Sequence, residues 1–329
     1  MKIIIDAFGG DNAPVEIIKG ARLAKDEYKI DILLTGSKTE IIKSASDNQI
    51  DISDMEIADA PEIITMDDDP SAVIKTKKNS SMALGFNLLA KGEGDAFISA
   101  GNSGALVMGA TMIVKRIKGV KRPAFAPVLP TLAGCSMLID GGANVECRPE
   151  MLMQFALMGS IYMNRVIGVN SPKIGLANCG SEEHKGTALY QDTYQLLKAS
   201  SLNFTGNIEG REIPRGDCDV IVADGFTGNI ILKMYEGVAG ALMGKFKEIF
   251  SKNLKNKLAA AMVLGDMKAM KKQFDYNEYG GSPILGVAKP VFKAHGSSKA
   301  RTIKSAVGLT VDFVKNNVVS EIENNIKPI

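Results

Sequence analysis

Residues 95–105 read Asp95-Ala96-Phe97-Ile98-Ser99-Ala100-Gly101-Asn102-Ser103-Gly104-Ala105. A short apolar run stops at a knot of glycine and small polar residues, and helical periodicity follows. That is the pattern of a strand turning directly into a helix. The same event recurs at Asn178-Cys179-Gly180-Ser181, at Asp224-Gly225-Phe226-Thr227-Gly228-Asn229 and at His295-Gly296-Ser297-Ser298. Each such turn leaves unpaired backbone N–H groups and the positive end of a helix dipole facing one point. Four of them at strand ends predict a crevice built to hold an anion, phosphate foremost.

Outward from these turns the chain alternates. Strands are expected at Lys2–Asp6, Ile30–Thr35, Asp95–Ser99, Ser136–Asp140, Lys173–Asn178 and Val220–Asp224, several of them apolar throughout, as in sheet covered on both faces. Helices are expected at Pro14–Glu27, Ser80–Lys91, Pro149–Arg165 and His184–Ala199, with Pro14 and Pro149 at helix starts, where a missing N–H is tolerated. The alternation predicts the α/β class: a three-layer α/β/α sandwich around a mostly parallel, Rossmann-like sheet. One domain over residues 1–329 is expected, with two lobes facing across the crevice.

Composition narrows the function. The chain has 329 residues, a net charge of +2, 6% aromatic residues and no Trp, which gives no footprint for nucleic acid. Cys135, Cys147, Cys179 and Cys218 show no C-x-x-C spacing and only two histidines are present, so no structural metal is expected and reduced cytoplasmic thiols are. The opening Met1-Lys2-Ile3-Ile4-Ile5-Asp6 reads as a strand, not a signal peptide, and no run reaches the roughly 18 apolar residues of a membrane span. Asp6-Ala7-Phe8-Gly9-Gly10-Asp11 does not fit the G-x-G-x-x-G of dinucleotide binding, and Gly101-Asn102-Ser103-Gly104 fits neither a P-loop nor a nucleophile elbow. Ser103 is therefore a helix cap or an anion ligand, not a nucleophile.

Two segments add detail. In Asp224–Lys233, a helix starting near Thr227 places Asn229 and Lys233 on one face near its N-terminus, where the alternative is an ordinary solvated lysine. In Lys252–Phe274, the apolar Leu254, Leu258, Met262, Val263, Met267 and Met270 mix with lysines, and Gly265-Asp266 is expected to bend the segment into a helical hairpin. A basic hairpin with an apolar tip suits an anionic membrane surface; packing of the same face in a dimer is the alternative. Asp67-Asp68-Asp69 before Pro70 reads as a loop into a helix start rather than a metal site.

Over nearly its whole length the chain resembles the bacterial phosphate acyltransferases often called PlsX. The matching motifs are Asp6–Asp11 with Ala13-Pro14, Ser80-Ser81-Met82, Gly101–Ala105, Gly142-Ala143-Asn144 with Cys147–Glu150, and Gln154–Gly159. They continue through Glu182-Glu183-His184-Lys185-Gly186, Asp224–Asn229, Tyr279-Gly280-Gly281-Ser282-Pro283 and His295–Ser298. The resemblance implies a fold like those of isocitrate and isopropylmalate dehydrogenases and phosphotransacetylases. It also implies attack of inorganic phosphate on an acyl carrier protein thioester to give acyl phosphate for phospholipid synthesis. Related readings are a phosphotransacetylase-like enzyme using acyl-coenzyme A, a metal-dependent decarboxylating dehydrogenase, and a non-catalytic scaffold.

On this resemblance Asn102, Ser103, Gly104, Thr227, Gly228, Lys233 and Ser297 surround phosphate, and Lys185, His295 and Asn229 carry the chemistry at the thioester. Cys179 is expected to be a buried thiol rather than a nucleophile. Neither metal nor cofactor is expected. The implied partners are acyl carrier protein, a membrane acyltransferase met transiently, an anionic membrane reached through Leu254, Leu258, Met262 and Val263, and a second copy of the chain in a homodimer. Lys75, Lys77 and Lys78, or Lys115, Arg116, Lys118, Lys121 and Arg122, are the candidate docking clusters for the acidic carrier. The implied location is the cytoplasm, at the membrane periphery.

Overall fold

Three successive isoleucines, Ile3-Ile4-Ile5, can all be buried only if both faces of their strand are covered. In the computed structural model, which describes residues 1–274 and 280–326, all three are at most 1% exposed. Ile3 and Ile5 face the helices Val15–Tyr28 and Ala300–Lys315, while Ile4 faces the helix Ser81–Lys91 through Phe86 and Leu89. Tyr279, part of one of the motifs above, lies outside the described residues.

Among the described residues the strands are β1 (Lys2–Asp6), β2 (Asp31–Gly36), β3 (Glu56–Asp59), β4 (Ala96–Ser99), β5 (Ala124–Phe125), β6 (Val128–Thr131), β7 (Gly134–Ile139), β8 (Ile174–Asn178), β9 (Phe204–Glu209), β10 (Val220–Val222), β11 (Gly281–Leu285) and β12 (Val291–Ala294). They form two sheets, of order β3-β2-β1-β4-β12-β11-β5 and β6-β7-β10-β8-β9. The first is parallel from β3 to β12 and antiparallel at β11 and β5; the second is parallel except for β6. The fold is thus a mixed, mostly parallel α/β architecture with helices on both sides.

Register decides where the chemistry collects. Ser99 of β4 pairs with Lys293 of β12, and Ile5 of β1 with Ile98 of β4, so Asp6, Ser99 and Lys293 stand at one level, at or one residue before the ends of their strands. In the second sheet Val222 pairs with Ile139, which brings Asp140 level with the turn into the helix Gly225–Ser251. Parallel strands present their carboxyl ends on one side, and that is where a crevice opens.

Local details differ from expectation for physical reasons. The helix expected from His184 begins at Ala188, because Gly186 takes a left-handed φ of +86° and Thr187 becomes the N-cap. The helix Gly225–Ser251 runs 27 residues, roughly 40 Å, and its buried residues are confined to Gly225, Gly228 and Leu232. Tyr235 still donates its hydroxyl to the Pro130 carbonyl and Ala239 still lines the cleft; beyond them the helix leaves the body, and the chain continues through the helices Leu254–Met262 and Leu264–Gln273. The break falls at Val263, not at Gly265-Asp266, which lie inside the second of these helices. Gln273 returns to the body, its amide donating to the carbonyls of Thr131 and Leu132 at 3.4 and 3.3 Å.

Candidate active site

The turn after β4 is fixed from beneath by Asn102. Its side-chain oxygen accepts the Ala105 N–H at 3.0 Å, and its amide donates to the carbonyls of Thr65, Met66 and Asp68 at 3.1 to 3.3 Å. Asn102 is buried and fully engaged, so the residues of this turn that reach open space are Ser103 and Gly104.

The turn after β10 is held by Asp224, which caps the long helix. It accepts the Thr227 N–H and hydroxyl, both at 2.9 Å, and the Tyr190 hydroxyl at 2.5 Å. Thr227 therefore faces its own cap. Gly228 lies so close to the neighbouring turn that a Cβ would sit 1.9 Å from the Asp140 carbonyl oxygen, which requires glycine. That contact sets the next turn of helix against residues 140–144. Asn229 donates to the Gly141 carbonyl at 3.3 Å, and Lys233, one turn on, pairs with Glu236 at 2.9 Å. Asp140 organises the facing turn by accepting N–H groups from Phe125, Gly142, Ala143 and Asn144, together with the Asn144 amide. Burial pushes its carboxyl upward against those hydrogen bonds.

The third turn follows β12. His295 holds Ser297 through Nδ1, which lies 2.8 Å from the Ser297 hydroxyl and accepts the Ser297 N–H at 3.3 Å. Accepting an N–H at Nδ1 places the proton of the neutral ring on Nε2. Burial holds the imidazole below its ordinary 6.5, with Glu236 opposing and Lys293 and Lys233 adding to the depression.

These three turns and residues 141–144 enclose one cleft of about 640 Å³. Ser103, Gly104, Asn229, Lys233, His295 and Ser297 line it together. Asn102, Thr227 and Gly228 lie behind its wall. The fourth turn, Asn178–Ser181, is not part of the lining, and neither is Lys185, which sits 3.9 Å from Glu182. Cys179, on that same turn, is exposed rather than buried. The carboxylates of residues 68 and 69 are engaged locally: Asp69 caps the short helical turn Pro70–Val73, and Asp68 pairs with Lys77 at 2.6 Å.

Away from the turns the cleft is apolar, with Met108, Met112, Val128, Leu129, Leu232 and Phe274 in its walls. Sequence reading assigned no site role to Asp11, Lys293 or Asn144 and gave Arg122 only as part of a docking cluster; all four line the cleft. Lys293 had a visible signal: it interrupts an apolar strand, Val291-Phe292-Lys293-Ala294, whose residues are all buried. Burial lowers its ammonium to about 8, against the opposing pull of Asp11 and Asp6. Asp11 has no such signal, because an acidic residue in a glycine-rich loop is ordinary.

Comparison with known proteins gives the family. A family model described as fatty acid synthesis protein matches residues 1–321. A phosphate acyltransferase of Caldanaerobacter subterraneus subsp. tengcongensis is 48% identical over 99% of this chain and 98% of its own length. One from Alkaliphilus oremlandii is 46% identical over 100% and 98% respectively. Among solved structures, a phosphotransacetylase from Streptococcus pyogenes superposes with a TM-score of 0.64 at 18% identity, covering 96% of this chain and 94% of that one, and so shares the fold. With family match and relatives spanning almost its full length, the chain belongs to the phosphate acyltransferase family of enzymes.

Proposed function

We propose that the protein transfers an acyl group from the phosphopantetheine thioester of acyl carrier protein to inorganic phosphate. A phosphate oxygen attacks the carbonyl carbon, the C–O bond to phosphate forms, the C–S bond breaks, and acyl phosphate leaves with the free carrier thiol. The observation that carries this reading is one cleft lined both by residues of three glycine turns with two lysines and by an apolar wall. A thiolate leaves readily, its pKa being about 8.5, so the site must chiefly hold a dianion against a carbonyl and stabilise the oxyanion. Phosphate is placed against Ser103, Ser297, Asn229 and Lys233, near the positive end of the helix Gly225–Ser251. Neutral His295 serves the oxyanion or the departing sulfur. Lys185, on the distant turn, has no part in this chemistry.

The acyl chain then runs along the helix Ser103–Gly109, past Met108, to Met112 on the π-helical turn Ala110–Val114 that continues it. Arg122 at the cleft rim favours the cluster Lys115–Arg122 for docking the acidic carrier, since Lys77 of the other cluster is tied to Asp68 and to the Ile63 carbonyl. Purified protein given acyl-carrier thioester and orthophosphate should form acyl phosphate trappable by hydroxylamine. Lys118→Glu with Arg122→Glu should raise KM for the carrier substrate and spare acyl-coenzyme A. Equal effects on both donors, or a preference for the coenzyme A thioester, would move the substrate assignment to coenzyme A.

Membrane contact is assigned to the protruding arm. Leu254, Leu258 and Met262 are 75%, 61% and 87% exposed, beside Val263 and the lysines Lys252, Lys255 and Lys257. No helix among the described residues is long and apolar enough to cross a membrane, so the arm would lie on the surface. A second copy of the chain is assigned to the stripe Phe226, Ile230, Met234, Val238, Leu242 and Phe246, all exposed and spaced four apart, so that the stripe winds gradually around the helix. Light scattering on Met234→Glu should give half the wild-type mass; an unchanged mass would remove the stripe from the interface. On this reading the protein works at the membrane periphery of the cytoplasm and hands its labile product to a membrane acyltransferase in phospholipid synthesis.

A further inference from the structure

We infer that Lys293 is a phosphate-binding catalytic residue, the buried cation at the floor of the cleft; this rests on the acyl-transfer reading above. Lys293 is 7% exposed and lies in the middle of the first sheet, yet it belongs to the cleft lining. A charge removed from water to this extent needs compensation. Its Nζ donates to the Ala100 carbonyl at 3.0 Å and to the Ala294 carbonyl at 2.6 Å, both neutral acceptors. An ammonium has three donors, and those two bonds use two.

The charged and titratable groups facing it are Asp6 on β1, Asp11 on the following loop, Lys233 on the long helix and His295 beside it. Among the described residues none of the carboxylates comes within 4.0 Å of the ammonium. Asp6 is itself buried, held by the Ser99 hydroxyl at 2.7 Å and the Phe8 N–H at 3.2 Å, and burial pushes its carboxyl upward. The positive charge on Lys293 therefore lacks a contact anion from the protein, and the cleft it lines is where one can arrive. The bond to the Ala100 carbonyl also ties this cation to the turn bearing Ser103 and Gly104, so the anion sits between them.

The linkage has a definite sign. The ordinary lysine value of 10.5 is lowered to about 8 by burial. A bound phosphate favours the charged form and must raise it, so phosphate affinity falls as pH climbs through about 8 in the free enzyme. Lys293→Met should lower kcat/KM for phosphate about 100-fold, the scale for one lost electrostatic contact, and remove the alkaline limb. A Lys293→Met enzyme within about threefold of wild type would overturn the inference. If that variant does not fold, nitrogen NMR of the wild-type Lys293 ammonium decides: its titration midpoint should move up on adding orthophosphate, and an unmoved midpoint overturns the inference. A wild-type protein that shows this shift but consumes no thioester would sink the acyl-transfer reading and leave the phosphate site standing.

Discussion

Replacing Gly228 with alanine perturbs the cleft without removing any polar group. The added methyl would lie 1.9 Å from the carbonyl oxygen of Asp140 and 3.0 Å from its carbonyl carbon. Both are backbone atoms that cannot rotate away, and Asp140 is fixed by N–H donors from four residues onto its buried carboxylate. Relief therefore requires the first turn of the helix Gly225–Ser251 to retreat by about 1 Å, because close-packed interiors transmit such a clash rather than absorb it. Asn229 and Lys233 ride on that turn. A misplacement of about 1 Å costs on the order of 100-fold in rate. Stability should change less: the helix gains up to about 1 kcal/mol from losing a glycine, and overpacking costs about 1 to 3 kcal/mol. Initial rates of phosphate-dependent thioester loss, read beside a thermal unfolding curve, test this. A Gly228→Ala enzyme with wild-type rates would show that the contact between the two turns does not set the geometry of the site.

Asn229→Ala and Lys233→Ala should each raise KM for phosphate by roughly tenfold or more with folding intact, as expected for lost contacts of about 1.4 kcal/mol and above; wild-type kinetics at limiting phosphate would remove this helix start from the site. Because burial depresses His295 below 6.5 in the free protein, it gains charge only as pH falls through its lowered value, so an acid limb in kcat/KM, which reports the free enzyme, should lie below 6.5. His295→Ala should lower kcat about 100-fold and abolish that limb, while a limb above 6.5 would exclude His295 as its source. Leu258→Glu with Met262→Glu should end flotation with phosphatidylglycerol vesicles and spare activity, since each apolar side chain contributes at most about 1.5 to 3 kcal/mol and each lysine about 1 kcal/mol at an anionic surface. Loss of folding in that variant would place the apolar face inside the protein.

Much of the fold was legible because burial on both faces writes itself as an unbroken apolar run. Ile3-Ile4-Ile5, Ala96-Phe97-Ile98 and Val220-Ile221-Val222 announce interior strands directly. β12 was not legible, since Lys293 breaks its run, and β9, Phe204-Thr205-Gly206-Asn207-Ile208-Glu209 at the edge of the second sheet, carries polar residues that an edge tolerates. The site was half legible for a related reason. A glycine turn in the sequence says that a strand ends, but not which place the strand takes in its sheet. β8 stands one position beyond β10 in the second sheet, so its turn, with Lys185, falls outside the cleft that the β10 turn enters. Asn102 shows the same ambiguity at the level of one side chain. An amide that staples a turn from beneath and an amide that grips a ligand are the same letter, and only its four internal hydrogen bonds separate them.

A crystal structure with orthophosphate would test the central claim most directly, that three turns converge on one anion. Phosphate is predicted between Ser103, Asn229, Lys233, Ser297 and His295, within hydrogen-bonding reach of the Lys293 ammonium. Phosphate bound instead at the turn Asn178–Ser181 beside Lys185, with the cleft between β4, β10 and β12 holding none, would contradict the account.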